Sequence, residues 1–181
     1  MPFIETNGIK MHYEEKGAFA QMNPPIRKQR HQDELWKGML DGTIECIATD
    51  HAPHTLEEKK LPYGKAPAGM PGVQTSLPLM LNEVSNKRIT IEQVVKWMCE
   101  NPTKVYNIKN KGFLKIGYDA DITIVDMNLE KTISASEMES KCGWTVFEGQ
   151  KIKGAPIMTI VNGNIVYKNG KILDAIKGQP V

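Results

Sequence analysis

The tightest limit on this fold is an apolar run that ends abruptly in ionisable residues. Residues 43–49, "TIECIAT", are apolar or β-branched apart from Glu45, and they lie between Gly42 and Pro53. The length of the run, its β-branched content and its flanking breakers read as a buried strand rather than a helix. Asp50, His51 and His54 follow directly, and Pro53 fixes the backbone between the two histidines.

The neighbouring segments alternate in type. Residues 3–14 alternate polar and apolar around Asn7-Gly8, which predicts a two-residue hairpin. "AFAQMN" (18–23) reads as a short strand closed by Pro24 and Pro25. Residues 28–41 place Leu35, Trp36, Met39 and Leu40 on one side of a helix that Gly42 ends. Residues 55–73 hold prolines 62, 67 and 71 and glycines 64, 69 and 72, which predicts a long loop without regular structure. A helix is expected over 74–86, with Pro78 tolerated only near its first turn. Thr90 and Gln93 form a capping box ahead of "VVKWMCE", and Asn101-Pro102 is expected to break that helix before a short one through "TKVYNI". From Gly112 the chain becomes short strands punctuated by glycine, with hairpin turns at Asn162-Gly163 and Asn169-Gly170. A domain boundary is therefore expected near residue 110. The expected fold class is α/β plus β: 1–17 a leader hairpin, 18–110 βα units, 111–181 a β portion.

Composition narrows the function classes. The 181 residues are 40% apolar, which is enough for a core, and the net charge of +2 gives no field that favours nucleic acid or an anionic membrane. No run approaches the ~18 apolar residues of a membrane span, and the N-terminus carries no apolar signal region. Cys46, Cys99 and Cys142 are odd in number and far apart. They argue against a disulfide framework and suit a reducing cytoplasm. A small-molecule partner is the remaining expectation, with neither nucleic acid nor membrane involved.

Polar residues at the C-terminal end of a strand that is followed by loop and helix occupy the place where (β/α) barrels put catalytic groups. A carboxylate there can bind a metal, accept the proton of an attacking water and return it to a leaving amide nitrogen. An imidazole nearby can meet an anionic substrate, and a Gly/Pro loop can bring backbone N–H groups close to a ligand. On spacing alone Asp50 serves equally as a turn or cap residue, and His51 reads as a structural hydrogen-bonder rather than a ligand. His12 and His31 receive no role.

Several motifs in register carry a resemblance. "ATDHAPHTLEEKK" (48–60) followed by "APAGMPGVQTSLPLML" (66–81) resembles the signature of dihydroorotases of the amidohydrolase superfamily. "MNPPIR" (22–27) and "GFLKIGYDADITIVD" (112–126) resemble the flanking segments of the same proteins, so the resemblance covers about residues 19–173. It implies the C-terminal part of a metal-dependent (β/α)8 barrel followed by part of a small β-sandwich. It implies reversible hydrolysis of dihydroorotate to N-carbamoyl-aspartate, a step of pyrimidine synthesis. By the same resemblance Asp50 contacts the metal, zinc in the complete family site, and shuttles the proton. His54 binds the substrate carboxylate, Asn23 holds the dihydropyrimidine ring, and the backbone of Ala68 and Gly69 contacts the substrate. The histidine after the proline separates this group from hydantoinase-like relatives, whose substrates need not carry a carboxylate.

The resemblance is partial. The family's H-x-H pair, its bridging lysine or aspartate and its later histidines have no counterpart in this chain. A complete barrel takes about 250 residues, more than the 181 here. The leader "FIETNGIKMHYEEKG" resembles the opening hairpin of α/β-hydrolases over a short stretch, but no G-x-S-x-G nucleophile elbow follows. Two expectations stand. One is a dihydroorotase-like cyclic amidohydrolase, here truncated, whose isolated chain is inactive because most of the metal ligands are absent. The other is a non-catalytic remnant that serves as an assembly piece. Both expect exposed barrel edges covered by self-association or by a partner chain.

Overall fold

The computed structural model describes residues 3–6, 9–12 and 17–173. The chain divides into two compact units, and both are assembled from separate stretches. The first comprises Met1–Ile44, Ala48–Leu79 and Thr132–Lys151, and the second Glu45–Ile47, Met80–Lys131 and Ile152–Val181.

In the first unit, β1 (Phe3–Thr6) pairs antiparallel with β2 (Ile9–His12), Phe3 opposite His12 and Thr6 opposite Ile9. The expected Asn7-Gly8 turn itself lies outside the described residues. α1 (Gln29–Asp41) ends at Gly42 in the left-handed conformation (φ 86°), as the glycine signal predicts. Its apolar residues Leu35 and Leu40 remain exposed. The core of this unit is built from Ala18, Ala66, Ile133, Trp144, Val146 and Phe147, all buried.

Neither expected strand forms. Residues 17–20 make a 3₁₀ turn instead of the strand read over 18–23. Residues 43–49 enter no ladder and are only partly buried. A strand exists through its neighbours, and among the described residues no strand lies beside either segment. The backbone groups of the second segment go elsewhere. Ile44 N–H donates to Gly38 O of α1 at 2.8 Å, and Ile47 N–H donates to Trp97 O at 3.2 Å. Only at its end does one isolated parallel bridge, His51 with Met70, mark a sheet-like contact.

The stretch 55–73 is not wholly irregular. α2 (Leu56–Lys59) starts from a capping box in which Thr55 Oγ1 accepts from Glu58 N–H and the Glu58 carboxylate accepts from Thr55 N–H. The T-x-x-E pattern was present in the sequence, and its one-turn helix was masked by the surrounding prolines and glycines. α3 (Val73–Ser85) carries Pro78 as its sixth residue, in the second turn rather than the first. The missing N–H removes one early helical bond, and twelve other positions with ordinary N–H groups sustain the helix.

In the second unit, α4 (Ile91–Val95) begins at the expected Thr90/Gln93 capping box. It does not break at Asn101-Pro102. The chain passes through a π-helical turn over Lys96–Glu100 and continues into α5 (Asn101–Val105). Asn101 N–H reaches back five residues to Lys96 O, and this wider turn brings Pro102 in at the start of the next helix, where its missing N–H costs little. β3 (Ile122–Thr132), β4 (Lys151–Val161), β5 (Asn164–Lys168) and β6 (Lys171–Ile172) form one sheet in that order. Both expected turns are found. Asn162 (φ 48°) and Gly163 (φ 78°) join β4 to β5, and Asn169 (φ 48°) and Gly170 (φ 81°) join β5 to β6. Two consecutive positive φ values match the twist of the flanking strands, which is why Asn-Gly is favoured there.

The core of this unit centres on Leu81, which has no exposed surface, with Val94, Trp97, Ile152 and Ala155. Gly154 sits at φ 98°, and a Cβ there would stand 2.9 Å from that of Leu81. Glu83 is buried beside Arg88 Nη1 at 3.1 Å, and burial pushes its carboxyl above the ordinary glutamate range despite the guanidinium. Val105, Tyr106, Leu114 and Ile116 are large apolar residues left exposed in the same unit.

Two outcomes follow from this packing. Gly154→Ala combines a left-handed backbone with overpacking against Leu81, so urea denaturation should show a loss of about 2–4 kcal/mol. Folded Glu83 binds its proton more tightly than the unfolded chain does, so its contribution to stability falls as pH rises from the ordinary glutamate range through the raised folded value. Urea titrations between about pH 4 and pH 7 should therefore show wild type losing stability relative to Glu83→Gln as pH rises.

Candidate functional site

Asp50 ends the apolar segment at φ 43°, in the left-handed region. Asp and Asn enter that region more readily than other side-chain-bearing residues, and such outliers gather at functional sites. Its carboxylate is exposed. His51 turns away from any ligand role through Nδ1, which accepts from Gly72 N–H at 3.0 Å and more weakly from Val73 N–H at 3.4 Å. Accepting there leaves the proton of the neutral ring on Nε2. The structural reading of His51 therefore holds.

His54, Ala68 and Gly69 come together. His54 Nε2 lies 3.1 Å from Ala68 O, and since a carbonyl can only accept, Nε2 is the donor. Nδ1 faces Glu58 Oε2 at 3.8 Å. The Glu58 carboxyl is held below its ordinary range, first by the Thr55 backbone N–H, then by the Thr55 hydroxyl and last by His54. Gly69 is buried at φ 134°, and a Cβ there would meet that of Ala52 at 2.5 Å and His54 Cδ2 at 3.3 Å. No other residue fits this close approach. Asn23 is exposed two residues beyond Gln21.

Three residues outside the sequence-derived set organise this region. Gln21 Nε2 donates to Ala66 O at 2.6 Å, its Oε1 accepts from Gly64 N–H at 2.8 Å, and its carbonyl accepts from Gly69 N–H at 2.9 Å. The segment leading to Asn23 is thus stitched to the loop that carries Ala68 and Gly69. Lys59 is 1% exposed, and its ammonium donates to Pro67 O and Gly69 O at 3.0 Å each and to Gln21 O at 3.4 Å. Burial pushes its pKa below the ordinary lysine value. Trp144 Nε1–H donates to His54 O at 2.8 Å, Phe19 meets its ring edge-on at 5.1 Å, and Lys59 Nζ stands 5.7 Å from the ring centre. The capping box at Thr55–Glu58 was the one local signal that could have fixed the direction of Lys59. Nothing local marks Gln21 or Trp144, whose partners lie 43–45 and 90 residues away.

A divalent catalytic centre takes at least three protein ligands. Among the described residues, no three His, Cys, Asp or Glu side chains converge to hold a metal ion. The described residues of the signature segment therefore fall short of a complete three-ligand metal site. Also among the described residues, Cys46, Cys99 and Cys142 are free thiols, and no helix is long and apolar enough to cross a membrane.

The chain resembles known proteins over most of its length. The model of the amidohydrolase family matches residues 9–166. Dihydroorotase from Pyrococcus furiosus is 41% identical over 167 residues, which are 92% of this chain and 39% of that protein. Dihydroorotase from Methanosphaera stadtmanae is 44% identical over 162 residues, 88% of this chain and 37% of its own length. The chain thus spans about two fifths of the curated relatives it matches. Among solved structures, L-hydantoinase (dihydropyrimidinase) from Arthrobacter aurescens superposes with a TM-score of 0.84 at 34% identity, over 89% of this chain and 37% of that one. D-hydantoinase (dihydropyrimidinase) from Thermus sp. gives 0.81 at 28% identity. These relationships imply a fragment of the TIM-barrel fold and a family that works with a divalent metal on a small-molecule substrate. With the family model matched over most of its length, the chain belongs to the amidohydrolase family.

Proposed function

We propose that this chain supplies the late part of a dihydroorotase-type cyclic amidohydrolase. What supports the reading is the juxtaposition of His54 with Ala68 and Gly69, within the segment shared with dihydroorotases. In this reading residues 18–110 are the last βα units of the barrel, and 111–181 are the C-terminal portion of its β-sandwich. The leader hairpin 1–17 precedes those units. The setting is cytoplasmic.

The roles divide by chemistry. Asp50, exposed at the end of its segment, takes the proton of the attacking water and returns it to the ring nitrogen as the cyclic amide opens to N-carbamoyl-aspartate. His54 meets the substrate carboxylate. The main chain of Ala68 and Gly69 lies against the dihydropyrimidine ring, and Asn23 holds its far side. Zinc, where a complete site binds it, supplies the lowered pKa of water. Of this chain's proposed site residues only Asp50 would touch it.

A second reading is a non-catalytic remnant that acts as an assembly piece, and the lack of a three-ligand cluster among the described residues favours it. Metal content and activity separate the two.

The purified chain with added zinc should retain less than stoichiometric metal after gel filtration and should not open dihydroorotate, because water without a held ion keeps its proton far above neutral pH. Combined with the remaining portion of a dihydroorotase barrel it should gain activity. Asp50→Asn should abolish that activity, and His54→Ala should act mainly on KM. Ring opening followed spectrophotometrically is the assay. Turnover by the chain alone that vanishes in Asp50→Asn would show that it assembles more than its ligands suggest. Reconstituted activity that survives Asp50→Asn would remove the reading of the motif.

The exposed Val105, Tyr106, Leu114 and Ile116 should also drive self-association or capture of the barrel remainder. Light scattering should find oligomers at high concentration, and a monodisperse monomer that binds no hydrophobic dye would count against this.

A further inference from the structure

Lys59 is the most deeply buried cation among the described residues, and the chemistry of ring opening gives it no task. Its surroundings do. The carbonyls of three successive loop residues point in alternating directions: Pro67 O and Gly69 O accept from the Lys59 ammonium, and the intervening Ala68 O accepts from His54. An ammonium has three donors and no acceptor, so two are satisfied by the carbonyls that flank Ala68. The third reaches Gln21 O at 3.4 Å, the oxygen that also accepts from Gly69 N–H. The face of Trp144 lies alongside, and the indole N–H of that residue holds His54 O.

We propose that Lys59 is a positioning residue of this site. By holding the Pro67 and Gly69 carbonyls inward, it turns the Ala68 main chain toward His54 and ties both to the segment that carries Asn23. What it positions follows from the geometry alone. That the positioned groups bind dihydroorotate rests on the reading of function given above.

A buried cation is a costly way to hold a loop, because removing an ammonium from water is opposed by its hydration. An apolar residue of the same length would fill the space, but it would leave the Pro67 and Gly69 carbonyls without the donor they have here. The lysine is therefore explained by direction rather than by packing. Charge-assisted hydrogen bonds are directional, and three of them converging from Gln21, Pro67 and Gly69 define one place for the loop.

The test has three arms. In the intact wild-type chain, the Lys59 ammonium protons should be directly visible by nitrogen-15 NMR near neutral pH, because bonded, buried protons exchange slowly with water. Loss of that signal to fast exchange would overturn the proposal without any variant. In Lys59→Met, the amides of Gly69 and Ala52, which donate to Gln21 O and Met70 O, should exchange at least about tenfold faster. The His54 ring nitrogens should shift away from a pure Nε2–H tautomer. The amides of Asn169 and Leu173, bonded within the β3–β6 sheet region, should keep their rates. Unchanged Gly69 and Ala52 exchange with an unchanged tautomer would overturn the proposal. So would equal acceleration at Asn169 and Leu173, which would reduce Lys59 to a general contributor to stability. In the reconstituted enzyme, Lys59→Met should raise KM for dihydroorotate about tenfold with kcat changed less than about threefold. Unchanged KM would overturn the proposal. Inactivity of the wild-type reconstitution would instead fall on the functional reading, and the two NMR arms would still decide the role of Lys59.

Discussion

The backbone of residues 44–54 has to satisfy its hydrogen bonds without a neighbouring strand, and the site depends on how it does so. Its N–H groups go to Gly38 O at one end, to Trp97 O in the middle and to Met70 O at Ala52. Within the second unit, Asn101 Nδ2 adds a bond to Glu45 O at 2.7 Å. A buried amide without a partner costs about as much as a lost hydrogen bond, so each of these contacts fixes where the following residues emerge. Within the first unit, the Ala52 N–H bond to Met70 O and the Gly72 N–H bond to His51 Nδ1 hold the residues that follow Asp50.

Below that segment the polar anchors are unusual in kind. The carbonyls of Ala66, Pro67, Ala68 and Gly69 are bonded by a glutamine side chain, a buried ammonium and a histidine ring. This is how a Gly/Pro-rich stretch with little repetitive structure becomes defined. Prolines 67 and 71 contribute no N–H, glycine 69 permits a close approach, and side chains from elsewhere supply the donors. Local rules set the ends of α1, α4 and the hairpins. This loop is set by partners far away in sequence.

The relatives are longer than this chain, which spans about two fifths of their length. In the function proposed above, proton handling by Asp50 and recognition through His54, Asn23 and the Ala68–Gly69 main chain are different tasks, and the second would draw on the Lys59, Gln21 and Trp144 framework.

Local chemistry in the sequence determined the caps at Thr90 and Gly42 and the two Asn-Gly turns of the final hairpins, which rest on residues within a few positions of one another, where φ preference and capping act directly. Spacing alone reached no further than Asp50 and His54, and only the family resemblance added Ala68 and Gly69 to them. Tertiary structure decided the rest. The apolar run 43–49 has every intrinsic mark of a strand, yet it forms no ladder, because pairing requires a neighbour that sequence pattern cannot supply. The expected break at Asn101-Pro102 became a π turn because the chain could widen one turn and keep its hydrogen bonds. Lys59 looked like one more surface lysine in a charged stretch. Only the folded loop, which brings Pro67 O, Gly69 O and Gln21 O to one point, gives its ammonium enough donor–acceptor pairing to remain buried.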